Sequence, residues 1–340
     1  MYYDPALSLH HLGGCMFTAY ARLSDGTPRT LEAAPDLAAL WSDKEAVLWI
    51  DLEQPTEEEI RAVDAVIDLD NEALDDCLHG EQRPRVDEYE NYIFLVVYGL
   101  LVGPEQEADH RPCKLAVFCG DRFLVTVHRE SVQTIEHFRV RCGQHAAQLL
   151  QHGVDHLLYS ILDGMVDNYL RVSEAYEERL EELEDRSQHP AVDDSVLRDL
   201  SELRRGLLEL RRYATSQQQL LEPISEGEYD YISEALGRQF AHLRDHLLKV
   251  VEQVDGLREL ANGVRDNYHM ALAERTNAAM RMLTVFASVL LPLSLIAGIY
   301  GMNLPLWPKA DHPASFWGVI GAMAAIAGGL LWYFRRKGWL

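Results

Sequence analysis

MLTVFASVLLPLSLIAGIYGM, residues 282–302, is a run of 21 residues without a charge. A helix needs about 20 predominantly apolar residues to cross a hydrocarbon core of about 30 Å, so this run is long enough to span a bilayer. Working outward, SFWGVIGAMAAIAGGLLWYF at 315–334 is a second uncharged run of 20 residues. Trp317, Trp332 and Tyr333 lie near its ends, where aromatic side chains gather at membrane surfaces. The alternative is a helical hairpin buried in a soluble core; two runs that both meet the spanning length favour the membrane. The stretch between them holds only Lys309 and Asp311, whereas Arg275 and Arg281 precede the first run and Arg335, Arg336 and Lys337 follow the second. The excess of basic residues on the cytosolic side of spans puts both chain ends in the cytosol and the short loop outside.

The rest of the chain is very different in charge. The 340 residues hold 31 Lys/Arg against 54 Asp/Glu, a net of −23. From His269 onward, six basic residues face Glu274 and Asp311, a net of +4, which leaves −27 on residues 1–268. That balance excludes general nucleic-acid binding, which relies on Lys and Arg to neutralise phosphates. Cys15, Cys77, Cys113, Cys119 and Cys142 are odd in number and scattered, with no C-x-x-C, as expected of free thiols in a reducing compartment. The opening MYYDPALSLHH has neither the basic nor the apolar region of a secretory leader, so the acidic body is expected in the cytosol.

Strand-like runs rich in β-branched and aromatic residues are confined to the first 130 residues: Met16–Leu23, Ala46–Leu52, Asn91–Val102, Lys114–Cys119 and Arg122–His128. The last two read as a hairpin around Gly120-Asp121. Thr56-Glu57-Glu58-Glu59 is a capping box that opens a helix towards Asp68. The expected fold is therefore α+β: an α/β domain over 1–150, then long helices over 151–281, a first span at 282–302, an external loop at 303–314, a second span at 315–334 and a basic cytosolic end at 335–340. Within the helical part, Val154–Ser187 and Asp193–Leu221 have helical spacing, with a break at His189-Pro190 and a turn marked by Pro223 and Gly227. No proline interrupts the chain from Tyr229 to Pro292, so Tyr229–Met302 reads as one helix of 74 residues, about 110 Å long at 1.5 Å per residue. A helix of that length needs lateral partners, and self-association about an axis is the simplest source.

Three features carry candidate chemistry. His242 and His246 stand at i and i+4 in HLRDH, near the H-x-x-E-H spacing of zinc hydrolases but with Asp for Glu and no clear third ligand. Ordinary helix residues, a metal contact and a hydrolase site all remain open there. The acidic helices, with EERLEELED at 177–185, serve either as a solvated face or as a reservoir that concentrates cations, and Asp75-Asp76 offer carboxylates to a hard cation. Neither a phosphate-binding loop of the G-x-x-x-x-G-K-[ST] type nor a G-x-S-x-G elbow occurs, so neither ATP-driven pumping nor esterase chemistry is indicated. Finally, Asn277, Met280, Leu283, Ala287, Leu291, Ser294 and Gly298 follow one another at spacings of three or four, one stripe along the first span. Its mix of amide, hydroxyl, glycine and apolar residues suits contact with protein or water better than with acyl chains.

The stretch Glu274–Asn303, with Asn277, Thr284, Pro292 and the closing IAGIYGMN, resembles the CorA divalent-cation transporters, whose signature GMN stands at the outer end of the first of two C-terminal spans. The final RRKGWL is similar to their basic C-terminus. Gln82-Arg83-Pro84-Arg85-Val86 with Glu90-Asn91-Tyr92, and Leu158-Tyr159-Ser160-Ile161-Leu162-Asp163, resemble stretches of their soluble part, so the likeness covers most of the chain. The resemblance implies a homopentameric funnel in the cytoplasmic (inner) membrane, crossing it twice, with a stalk helix that continues as the pore-lining span. It implies that Gly301, Met302 and Asn303 form an external selectivity ring and that Asn277, Met280, Leu283, Leu291 and Ser294 face the pore. Asp75 and Asp76 match the cytosolic metal-sensing acids, and His242 and His246 are further candidates for a regulatory site. No catalytic cofactor is implied; divalent cations are cargo and regulator, and the partners are other copies of the chain and membrane lipids.

The chain departs from the family pattern twice. Counted back from GMN, the stalk partner of Asp76 is expected to be an acid, yet His242 stands there, and imidazole suits zinc better than magnesium. The loop LPLWPKADHP lacks the acidic segment common in magnesium members, as in the zinc-transporting ZntB-like branch, which in turn usually carries GVN rather than GMN. The expected function is transport of Mg2+ (with Co2+ or Ni2+ as mimics) or of Zn2+. A membrane-anchored zinc hydrolase and a non-transporting coiled-coil scaffold are the distant alternatives.

Overall fold

The computed structural model describes residues 16–78, 83–103, 110–188, 195–302 and 313–339, with side chains from 316 in the last stretch. Cys15, Gln82, the His189-Pro190 break and the loop residues Lys309 and Asp311 lie outside the described residues. The chain divides into two compact units, one of residues 1–186 and 191–262, the other of residues 187–190 and 263–340.

The first unit begins with seven strands: β1 Met16–Arg22, β2 Pro28–Leu31, β3 Val47–Glu53, β4 Arg85–Glu88, β5 Ile93–Val102, β6 His110–Cys119 and β7 Phe123–His128. They form one sheet in the order β2-β1-β3-β7-β6-β5-β4. All neighbours are antiparallel except β3 and β7, which run parallel with Ile50 opposite Val125. The five longer strands match the expected ones, and the β6–β7 turn falls at Gly120-Asp121 as read. β5 starts at Ile93 because Tyr89 N–H bonds the Tyr92 carbonyl at 2.9 Å, closing a turn over Asn91. β2 and β4 were not anticipated. They are four-residue edge strands, PRTL and RVDE, too short and too charged to show an apolar alternation. Short, charged or proline-bearing edges are how sheets avoid pairing with other chains.

The strands of the sheet centre are buried along nearly their whole length, which follows from helices on both faces. One face packs against α1 Leu37–Trp41, α2 Glu57–Ile67 and α3 Asn71–Leu78 through Leu37, Ile60, Val63 and Ala73. The capping box of α2 is present: Thr56 Oγ1 accepts from Glu59 N–H at 3.2 Å and Glu59 Oε2 accepts from Thr56 N–H at 2.8 Å. The helix closes on Asp68, in the left-handed region at φ 62°. α4 Gln133–Leu149 packs across β1.

Three long helices follow: α5 Val154–Gln188, α6 Ser195–Glu226 and α7 Glu234–Tyr300. Their buried residues recur at alternating four and three. On α6 these are Val196, Leu200, Leu203, Leu207, Leu210 and Ala214; on α7 they are Leu236, Phe240, Leu243, Leu247, Val250, Val254, Leu257 and Ala261. A repeat of 3.5 on a helix of 3.6 residues per turn keeps one seam facing its partners with left-handed packing. Polar contacts fix the register: Ser173 Oγ and Gln253 Oε1 lie 3.0 Å apart between α5 and α7, and Arg211 Nε donates to Asp255 Oδ1 at 2.7 Å between α6 and α7. The bundle is tied to the sheet at the Tyr98 carbonyl, which accepts from both Tyr169 Oη (2.9 Å) and Gln217 Nε2 (2.5 Å).

Two expectations shift here. Pro223 does not end α6; the helix continues to Glu226, and the reversal comes at Gly227, φ 77°, where Glu228 N–H bonds the Pro223 carbonyl at 3.2 Å. Proline removes its own N–H and crowds the carbonyl one turn earlier, yet α6 keeps its course for three more residues past Pro223. α7 begins at Glu234 rather than Tyr229, because Ile232 N–H turns back to the Tyr229 carbonyl. Its 67 residues make it about 100 Å long at 1.5 Å each. Residues up to Asn262 belong to the first unit and those from Gly263 to the second, which also contains α8 Pro313–Arg336.

Candidate functional site

In the second unit, α7 from Met282 to Tyr300 is uncharged and almost bare. Asn277, Met280, Leu283, Ala287, Leu291, Ser294 and Gly298 are all exposed, Leu283 and Leu291 to about 70% (70% and 69%). The neighbouring apolar residues Met282, Phe286, Leu290 and Leu295 are exposed as well, and so are Phe316, Trp317 and Trp332 of α8. A soluble core would hide them; in hydrocarbon they meet their own kind. α7 and α8 are the two helices, among the described residues, long and apolar enough to cross a membrane. Thr284 Oγ1 donates to the Met280 carbonyl at 2.8 Å, so this hydroxyl is satisfied within the helix, as polar groups must be in lipid. Pro292 has no N–H for the carbonyl of Ser288, one turn earlier, which leaves that oxygen without its helical donor. Gly301 continues the backbone ladder to the Ala297 carbonyl at 2.9 Å. A Cβ there would lie 3.1 Å from the same oxygen, so only a glycine fits without displacement. Met302 is exposed, and Asn303 lies outside the described residues.

In the first unit the cytosolic candidates sit apart from one another in character. Asp75 is exposed on α3, whereas Asp76 is turned inward, its side chain 15% exposed. Asp76 pairs with the Arg85 guanidinium, which also donates through Nε to Asp87 Oδ2 at 2.6 Å. The Asp76 backbone carbonyl accepts from Lys114 Nζ. Burial lowers the Lys114 pKa; the nearby Cys77 and Asp76 work the other way. Arg85 as the partner of Asp76 was missed in the sequence, since nothing in the spacing announces a contact from α3 to an edge strand. His242 is exposed and His246 half buried, so the two imidazoles do not share one open face. His246 looks towards Asp163 on α5. Burial raises the Asp163 pKa and the Asp167 charge adds to this, while the Tyr159 hydroxyl at 3.4 Å and His246 act against it. Among the described residues, no three His, Cys, Asp or Glu side chains converge to hold a metal.

A buried polar network at the carboxyl ends of β3 and β7 also escaped the sequence reading. Asp51 Oδ1 takes the Thr126 hydroxyl at 2.5 Å and lies 3.2 Å from His128 Nε2; Trp49 Nε1 donates to Thr126 Oγ1 at 3.0 Å. Arg139 of α4 donates to Glu53 at 2.7 Å and stands 3.5 Å from Asp51. Burial works against a charge on His128, but the hydrogen bond and charge of Asp51 outweigh it, and its pKa is raised. Tyr20, stacked on Trp49 at 5.3 Å, has its phenol pushed up to about 12 by burial. The free thiols Cys77, Cys113 and Cys142 are likewise pushed up to about 12 by burial, so none of them is a thiolate at neutral pH.

An acidic α/β body, a helix that leaves it to become an uncharged span with a mixed stripe, and a second span closed by basic residues define a two-span membrane protein with a large soluble domain. The family described as CorA-like Mg2+ transporter protein matches residues 44–336, and the chain belongs to it. YfjQ of Bacillus subtilis, provisionally named a metal ion transporter, is 31% identical over 291 residues, covering 86% of this chain and 89% of that protein. The cobalt/magnesium transport protein CorA of Thermotoga maritima is 28% identical over 271 residues, covering 78% of this chain and 76% of that one. The complete structure of the CorA magnesium transporter from Methanocaldococcus jannaschii superimposes with a TM-score of 0.80 at 22% identity, covering 95% of this chain and 98% of that one. The chain is thus a transporter of divalent cations and not an enzyme, and the hydrolase reading of His242 and His246 falls.

Proposed function

We propose that the chain carries divalent cations across the inner membrane through a pore lined by α7 in a ring of copies, five by resemblance to the family. The observation that carries this reading is the stripe from Asn277 to Gly298. It is exposed along its length, mixed in polarity, and continuous with Gly301 and Met302. Second copies of α7 would cover it. Leu283 and Leu291 would then form apolar constrictions that gate by dewetting, with Met280 beside them, while Asn277 and Ser294 offer neutral oxygens on either side of the pair. Magnesium sheds its water reluctantly, so neutral amide and backbone oxygens at Gly301, Met302 and Asn303 can hydrogen-bond a hydrated ion without trapping it.

The cargo is Mg2+, with Co2+ and Ni2+ as mimics, on the family likeness. Zn2+ is the second reading, and the exposed imidazole of His242, at the place where the family pattern expects an acid, favours it. Asp75 and Asp76 serve as a cytosolic sensor in this proposal; a cation reaching Asp76 has to displace Arg85 first.

Fluxes of Mg2+ and Zn2+ measured side by side in vesicles containing the purified chain test the reading. Asn303→Ala removes one amide from every subunit at once and is expected to cut uptake by more than tenfold, about 1.4 kcal/mol or more on the barrier. His242→Ala is expected to leave maximal flux intact and to change at most its dependence on cytosolic zinc or pH. Normal transport by Asn303→Ala with none by His242→Ala would overturn the pore assignment.

A further inference from the structure

α8 ends in Arg335 and Arg336, followed by Lys337, and the chain then folds back on itself. Gly338 takes φ 71°, a conformation that side chains resist, and four bonds close the reversal: Lys337 N–H to the carbonyls of Tyr333 at 3.1 Å and Phe334 at 3.2 Å, Gly338 N–H to that of Arg335 at 3.1 Å, and Trp339 N–H to that of Phe334 at 3.0 Å. The turn lays the Trp339 ring flat against Phe334, with centroids 5.6 Å apart and planes at 21°. Lys337 Nζ then stands 5.4 Å from the Tyr333 ring and 5.7 Å from the Trp339 ring, and the Arg336 guanidinium lies 5.4 Å over Trp332. Among the described residues, none of the three cations forms an ion pair with a carboxylate.

We infer that this cap is a binding site for the phosphate headgroup of an anionic phospholipid. Ring faces attract the cations but accept little from their N–H groups, which stay available to an anion. Trp332, Tyr333 and Trp339 are exposed and amphipathic, the residues that settle at the headgroup level of a bilayer, and they hold the cations at that level. Arginine and lysine there meet phosphate oxygens with charge-assisted hydrogen bonds, and among the described residues of the cap no carboxylate competes. Most of the chain is strongly acidic, whereas here three basic residues stand consecutively with no acid between them. The inference rests on α8 crossing the membrane, and the experiment separates the two.

The full-length protein is reconstituted into phosphatidylcholine vesicles containing a fixed fraction of brominated phosphatidylglycerol or, in parallel, brominated phosphatidylcholine, and tryptophan quenching is read. Quenching by brominated phosphatidylcholine reports that the spans are in the bilayer at all. Excess quenching by brominated phosphatidylglycerol reports the headgroup site, and the expected preference is at least about fivefold, falling as salt screens it. Arg335→Gln combined with Arg336→Gln and Lys337→Gln is expected to abolish the excess. Because that triple change also weakens the topology signal, Lys337→Gln alone, which leaves both arginines and every tryptophan, is expected to reduce the excess at least twofold with phosphatidylcholine quenching unchanged. An excess that survives in every variant overturns the proposal, and so does one that millimolar inorganic phosphate removes, since the ligand would then be a free anion.

Discussion

His128 is buried between two acceptors. Its Nδ1 lies 2.7 Å from the Glu130 carbonyl and its Nε2 3.2 Å from Asp51, an arrangement that favours the doubly protonated ring and raises its pKa against the cost of burial. A folded-state pKa above the ordinary value of about 6.5 means that the charged ring stabilises the fold fully below that value and that this contribution fades as pH rises through the folded value. The groups facing it are Asp51 and Glu53 of β3, with Arg139 of α4 beside both. His128→Asn should therefore destabilise the body by about 1–3 kcal/mol at pH 6 and by less at pH 9, seen in urea unfolding of the detergent-solubilised protein at the two pH values. Equal losses at both would mean that the ring is neutral in the fold. At this scale the sequence was legible where residues act in a string, as in the capping box of Thr56–Glu59. Asp51 and His128 meet across two strands distant in sequence, and Asp76 meets Arg85 by the docking of a helix on an edge strand. Neither contact leaves a periodic trace.

The helices show how much a spacing can tell. Tyr176 of α5 reaches α6 at Gly206, where a Cβ would overlap its hydroxyl, and that hydroxyl is held 3.1 Å from His110 Nδ1. Gly206 thus lets two helices approach at a crowded point. Gly206→Ala should cost about 1–3 kcal/mol despite the better helix propensity of alanine, read as a lowered midpoint of thermal unfolding. An unchanged or raised midpoint would show that Tyr176 swings aside freely. The long helices were readable because helical repeats persist over many turns, and both spans because uncharged runs of 21 and 20 residues stand out from an acidic chain. β2, β4 and α1 were not, since four or five residues hold less than one useful period and their burial depends on neighbours.

For the molecule as a whole, the charge of −27 on residues 1–268 is a load that copies gathered round an axis would share. If divalent cations screen it, chelation should loosen the assembly and speed limited proteolysis of the soluble body at least several-fold, an effect restored by Mg2+ or Zn2+. Proteolysis indifferent to chelator would leave the acidic helices as a solvated surface, and a monomeric mass in detergent would count against the ring itself. The parallel pairing of β3 with β7 has a consequence for the birth of the protein. The sheet cannot close until β7 has been made, because β3, already beside β1, must wait for its second partner more than seventy residues downstream. Every strand is nonetheless translated before either span, at rates of about 5–20 residues per second. Synthesis therefore gives the soluble body several seconds to collapse in water before any segment calls for the insertion machinery, and the ribosome delivers to the membrane a chain whose bulk is already committed to one side.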